Sequence, residues 1–213
     1  MTVNSIGMPS VSELRPEPYR LQVGDQFATR NPMALGRAIN AVQTVISRDG
    51  KSTYSHAGII LDREGTTFEA LWTNKRQNLF EAYEGKRVVI ARCIMVSIPT
   101  WGGIVNELVR EREGKWYPGY RLPFQLVPPV AKYTTFKGKF LVCSELVALA
   151  SYMAYLRVGR KDSGGYCWPR HKWYTGTTPD TLSDEWHRWK HWEIIFEGFL
   201  HRELFDLSQG ERK

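Results

Sequence analysis

From Cys143 to Leu156 the chain is apolar on most faces of a helix, and Gly159 then ends it. A helix with one apolar stripe can lie on a surface, but one that is apolar nearly all round has to be covered on several sides. The remaining segments must therefore wrap this one. They are short and mostly strand-like. Leu21 to Phe27 reads as a turn entering a short strand, and Thr53 to Leu61 alternates as a strand should. Arg63-Glu64-Gly65 is a turn signal, and Thr67 to Trp72 is the returning strand. Arg87 to Val96 forms another strand, and Trp192 to Phe196 the last.

Two further helices are expected. Asn31-Pro32 supplies an N-cap and a first-turn proline, Leu35, Ile39, Val42 and Ile46 follow at helical spacing, and Asp49-Gly50 closes the segment. After Pro99-Thr100, the residues Ile104, Val105, Leu108 and Val109 share one helical face up to Gly114. Trp116 to Gly138 is rich in proline, glycine and aromatics, which predicts a long connection that carries function rather than regular structure. Residues 160–185 read as loop. Residues 1–20, punctuated by Pro9, Pro16 and Pro18, read as a loosely ordered segment, and residues 206–213 as a polar tail. Between them, residues 21–205 are expected to form one α+β domain.

At 213 residues the chain is long enough for one real core. No apolar run reaches the roughly 18 residues that a membrane span needs. Met1 to Met8 has neither a basic start nor a long apolar stretch, so ordinary export by a signal peptide is not expected, although a specialised release route stays open. Three cysteines, Cys93, Cys143 and Cys167, at irregular spacing argue for free thiols in a reducing compartment, and the expected location is cytoplasmic. The net charge of +7 favours peripheral contact with acidic partners such as anionic lipid or cell-wall polymers. The basic residues are interleaved with acids, however, and no nucleic-acid-binding motif is present, so a specific nucleic-acid partner is not expected.

Three segments carry candidate chemistry. Cys143 opens the apolar helix, where the macrodipole and the free N–H groups of the first turn stabilise a thiolate. The same N–H groups can serve as an oxyanion hole. Read alone, Cys143 fits better as a small buried hydrophobe, which is what most cysteines are. His56 stands in a strand among the small residues Ser55, Ala57 and Gly58, which leave room for another element to approach. It is a candidate general base or a core histidine bonded to a carbonyl. Glu69 interrupts the apolar run Phe68 to Trp72. Buried, it needs a partner; at a sheet edge it needs none. His56 and Glu69 share a sheet face only if an even number of residues lies between their strands. Cys93 lies within a strand and fits a packing role.

Gly24-Asp25, Ser55 to Ile59, Phe68-Glu69-Ala70, Gly114-Lys115-Trp116-Tyr117, Cys143-Ser144-Glu145-Leu146-Val147 and Thr178 to Leu182 follow one another in the chain. In this order they resemble the permuted papain-like cysteine hydrolases. The branch they are similar to is the YiiX/YebB-like one of the NlpC-type superfamily, a relative of the lecithin retinol acyltransferase-like enzymes. In that branch the histidine precedes the cysteine. The resemblance implies a circularly permuted papain-like fold, a small antiparallel sheet packed on the helix that carries the cysteine at its N-terminus. It implies acyl transfer with Cys143 as nucleophile and oxyanion-hole donor, His56 as general base and Glu69 orienting the imidazole, with Glu81 as the reserve acid. Tyr54, Tyr117 and Ser144 are candidate substrate-binding residues. No metal or cofactor is implied.

The expected function is a cysteine amidase or peptidase acting on a peptide, peptidoglycan or N-acyl amide. A lipid acyl hydrolase or acyltransferase would use the same site. Two alternatives lie outside that class. A basic binding module for anionic lipid or nucleic acid is one. A zinc site is the other, since Cys167 and His171, like His187 and His191, have ligand-like spacing; the tryptophan-rich sequence between them is not finger-like.

Overall fold

Alternating apolar segments pair into a sheet when each can bury one face. The computed structural model describes residues 17–30, 53–71, 73–116, 142–158 and 177–207. In these, six strands form one antiparallel sheet: β1 (Gln26–Thr29), β2 (His56–Ile60), β3 (Thr66–Ala70), β4 (Asn74–Asn78), β5 (Arg87–Cys93) and β6 (Trp192–Phe199), in the spatial order β4-β3-β2-β1-β5-β6. The molecule is thus an α+β protein. The two central strands, β1 and β2, are buried along their whole length, which requires cover on both sheet faces.

Four helices among the described residues supply that cover: α1 (Leu79–Tyr83), α2 (Ile98–Arg112), α3 (Cys143–Val158) and α4 (Pro179–Arg188). On one face, Ala28, Ala57, Ile59, Phe68, Val89 and Ala91 meet Ile104 and Leu108 of α2, Leu146, Val147 and Ala150 of α3, and Leu182 and Trp186 of α4. The alanines on both sides let α3 lie close to the sheet. On the other face, Phe27, Ile60, Val88 and Ile90 meet Leu79, Phe80 and Tyr83 of α1 together with Phe196 and Phe205. The expectation of a helix wrapped by the fold holds for the first three turns of α3; Leu156, near its end, is 55% exposed.

Three local differences from the sequence reading have physical causes. β4 (Asn-Lys-Arg-Gln-Asn) carries no apolar alternation, because an edge strand with exposed Lys75 and Arg76 needs none. α1 follows directly, capped by the Asn78 side chain, which accepts from the N–H groups of Phe80 (3.0 Å) and Glu81 (3.3 Å). The segment expected to be loop up to residue 185 contains the start of α4. Thr178 caps it, accepting from Thr181 N–H at 3.1 Å, and Pro179 occupies its first turn. The long helix expected from Asn31 and most of the connection from Trp116 to Gly138 lie outside the described residues.

The chain on either side of the core meets itself. Tyr19, expected in the loose leading segment, donates its N–H to Leu204 (2.9 Å) and accepts from Asp206 N–H (2.8 Å), and its ring packs on Phe196 and Phe205. Among the described residues no helix is long and apolar enough to cross a membrane.

Candidate active site

β2 and β3 pair with Gly58 opposite Glu69 and Ile60 opposite Thr67. Residues 61–66, an even number, lie between Ile60 and Thr67, so His56 and Glu69 do share a face. Glu69 is diagonal to His56, and the line between them crosses Gly58. A Cβ at position 58 would stand 2.7 Å from Glu69 Cγ and 2.6 Å from Phe27 Cε1. Only glycine leaves the space through which the acid reaches the imidazole.

The contact is short. Nε2 of His56 lies 2.6 Å from Oε2 of Glu69, and both side chains are buried. The same Glu69 oxygen accepts from the hydroxyl of Tyr83 at 2.6 Å, and Oε1 accepts from the hydroxyl of Thr67. Burial would push the Glu69 carboxyl up; the hydrogen bond and charge of His56, with the bonds from Thr67 and Tyr83, outweigh it and hold the group below its ordinary value of 4.5.

Cys143 also acts on His56 electrostatically. Nε2 is the ring nitrogen that meets Glu69. Burial alone would lower the imidazole pKa. The negative charge and hydrogen bond of Cys143, then those of Glu69, reverse that and raise it from 6.5 to about 10. The ring is flanked by Phe27 and Tyr83, with centroids at 6.4 and 6.0 Å.

Cys143 is the first residue of α3 and is buried beside the core. Two contacts set the helix start. Glu145 reaches back to accept the Val142 N–H at 3.1 Å, as the acid of a capping box does. Ser144 donates its hydroxyl to the Thr177 carbonyl at 2.5 Å. Three residues further on, Asp180 accepts the backbone N–H groups of Thr53 (3.0 Å) and Tyr54 (3.1 Å), just before His56. The short stretch from Thr177 to Asp180 therefore ties the start of α3 to the start of β2. Cysteine and histidine, far apart in sequence, are held by one common strap.

The other candidates fall elsewhere. Tyr54 is buried, and its hydroxyl donates to Glu197 at 3.1 Å, away from the His56–Glu69 contact. The Ser144 hydroxyl is committed to Thr177. Glu81 lies on the exposed side of α1, so Glu69 is the acid that His56 meets. Cys93 is buried in the core at the end of β5. Tyr117, Cys167 and His171 lie outside the described residues. His187 contacts Glu197 through Nε2 (3.0 Å) and the Ser183 carbonyl through Nδ1 (2.8 Å). Among the described residues no group of three or more histidines, cysteines or acids is placed to hold a metal ion.

Sequence reasoning passed over Thr67 and Tyr83. Thr67 sits two residues before Glu69 on the same strand face, so strand period alone would have found it. Tyr83 belongs to a helix that the sequence reading did not assign.

In chemical terms, a thiol, an imidazole and an ionised acid stand in series. Such a series can take a proton from sulfur and return it to a leaving group. No family model matches the chain, and no curated protein matches it. Among solved structures it is distantly similar to one described as the metalloprotein yiiX from Escherichia coli O157:H7, DUF1105. The two share 20% identity over 64% of this chain and 67% of the other, with a TM-score of 0.47.

Proposed function

We propose that this chain is a cysteine-dependent acyl-transfer enzyme of the circularly permuted papain-like type, acting first as an amidase or peptidase. The observation that carries the reading is His56, bonded to a buried Glu69 whose two oxygens both accept hydrogen bonds, and acted on by Cys143. His56 holds the proton of the Cys143 thiol, and the thiolate attacks the amide carbonyl carbon. The backbone N–H of Cys143 helps to hold the oxyanion. As the C–N bond breaks, His56 gives its proton to the departing amine and a thioester remains. Water then attacks the thioester, its proton passes to His56, the C–S bond breaks to restore the thiolate, and a carboxylic acid leaves. Glu69 keeps the imidazole oriented and compensates its charge throughout.

The test uses p-nitrophenyl acetate with wild type, Cys143→Ala and His56→Ala. The expected result is a burst of nitrophenol and an acetylated peptide containing Cys143. Cys143→Ala gives no adduct, and His56→Ala acylates far more slowly. An adduct on another residue, or an unchanged rate in His56→Ala, overturns the proposal. Peptide, peptidoglycan-fragment and N-acyl amides then separate amide substrates from phospholipid esters, which would point to lipid acyl chemistry at the same site.

A further inference from the structure

Glu69 has a second buried partner that the reaction scheme does not use. Tyr83, near the end of α1, is 5% exposed and donates its hydroxyl to Oε2 of Glu69, the same oxygen that meets His56 Nε2. Gln77, on the neighbouring edge strand, donates its Nε2–H to the Tyr83 oxygen at 3.0 Å. Its backbone carbonyl accepts from Thr67 at 3.2 Å. The Tyr83 ring stacks obliquely on the imidazole and on Phe27, with centroids at 6.0 and 5.7 Å. One side chain therefore touches the acid through its hydroxyl and the base through its ring.

We propose that Tyr83 is a positioning residue of this site, locking the Glu69 carboxylate onto His56 Nε2 through a relay that begins at Gln77. The inference rests on the acyl-transfer reading of Cys143, His56 and Glu69. A carboxylate with one loose oxygen can rotate about its terminal torsion, which is broad. Here Thr67 fixes Oε1 and Tyr83 fixes Oε2, so the plane of the acid is set before any substrate arrives. A hydrogen bond to the ionised form also resists its protonation. Tyr83 keeps its own proton in this role: burial, then the adjacent Glu69 charge, raises its pKa well above the ordinary tyrosine value. The groups facing Glu69 are His56 of β2, Thr67 of its own strand, Tyr83 of α1 and, through His56, Cys143 of α3. Lys75 of β4 stands opposite in register, with its side chain exposed.

The experiment is the rate of Cys143 alkylation by iodoacetamide between pH 3 and 9, read by mass spectrometry of the Cys143 peptide. It needs no knowledge of the substrate. Proteins compared are wild type, Tyr83→Phe, Gln77→Met and His56→Ala, each checked for fold by circular dichroism. In wild type the rate falls off at low pH as the reactive thiolate is protonated, and an ionised, oriented Glu69 holds that fall at lower pH by keeping the His56 charge beside the sulfur. Tyr83→Phe removes one bond to an ionised carboxylate and moves that fall upward by about one pH unit. Gln77→Met moves it in the same direction by less. An unchanged acid limb in folded Tyr83→Phe overturns the proposal, because loss of packing alone lowers the melting temperature without moving the limb. If Tyr83→Phe does not fold, Gln77→Met decides, and an unmoved limb there overturns the proposal equally. A wild-type profile identical to that of His56→Ala instead sinks the underlying acyl-transfer reading.

Discussion

Glu69 and Glu197 each meet the Nε2 of a histidine and accept from the hydroxyl of a tyrosine. Around Glu69 these are His56 and Tyr83, both at 2.6 Å, with Thr67 as the third partner. Around Glu197 they are His187 at 3.0 Å and Tyr54 at 3.1 Å, with Arg87 at 3.1 Å as the third. The residue types are almost the same; the surroundings are not. The Glu69 side chain is fully buried, whereas that of Glu197 is 34% exposed beside a half-exposed His187. The other influence on the histidine differs too. His56 is acted on by Cys143, whereas Nδ1 of His187 meets the Ser183 carbonyl. A carbonyl has no proton to give and takes none at ordinary pH. A histidine–acid pair is common surface furniture; burial and a thiol that acts on the imidazole turn it into a candidate for catalysis.

The comparison can be broken most directly through activity. His56→Ala should slow acylation of Cys143 by about 10²- to 10⁴-fold, the usual range for a general base. His187→Ala should leave the p-nitrophenyl acetate burst unchanged. Equal losses in the two variants would remove the distinction between the sites.

Stability gives the next contrast. Glu69→Gln removes the buried carboxylate bonded to the His56 imidazolium and should cost about 3 kcal/mol or more in urea unfolding. Glu197→Gln disturbs a solvated network and should cost under about 1 kcal/mol. Similar midpoint shifts for the two would mean that burial does not set the difference.

The pH dependence has a definite sign. His56 binds its proton more tightly folded, at about 10, than unfolded, at 6.5. Its contribution is therefore complete below about pH 6.5 and is lost as pH rises toward 10. Glu69 works the other way, since its folded pKa is lowered; its contribution is present above 4.5 and is lost on acidification. Stability should peak between these limits, and His56→Ala should flatten the alkaline side. A further contrast is that of Gly58→Ala. The added methyl meets Phe27 and Glu69, so the strand must shift at a cost of about 1–3 kcal/mol, measurable by thermal melting. A neutral substitution would show that the acid reaches His56 by some other path.

Much of the scaffold was legible. β2, β3 and β5 alternate or run apolar because a covered sheet demands it, and α3 declares its burial by being apolar on most faces. β4 was illegible because an edge strand needs only backbone partners, and Lys75 and Arg76 are what protects such an edge. α1, five residues long, has too few turns to show a period. The start of α4 carried a readable Thr-Pro signature, but the loop-like sequence before it masked the signal. Tyr83 could not be singled out, since nothing local distinguishes it from a packing aromatic.

The sequence by itself determined the chemical inventory and its local settings. It placed a cysteine at the start of a buried helix, a histidine among small residues and an acid in an apolar run. Those settings follow from side-chain spacing, which is a property of neighbours. Tertiary structure alone decided which of these groups meet. The even spacing across residues 61–66 put Glu69 on the face of His56, and the strap from Thr177 to Asp180 brought the start of α3 to the start of β2. The strap joins segments far apart in the chain, and the hairpin register is set by backbone pairing, so side-chain spacing within one segment fixes neither.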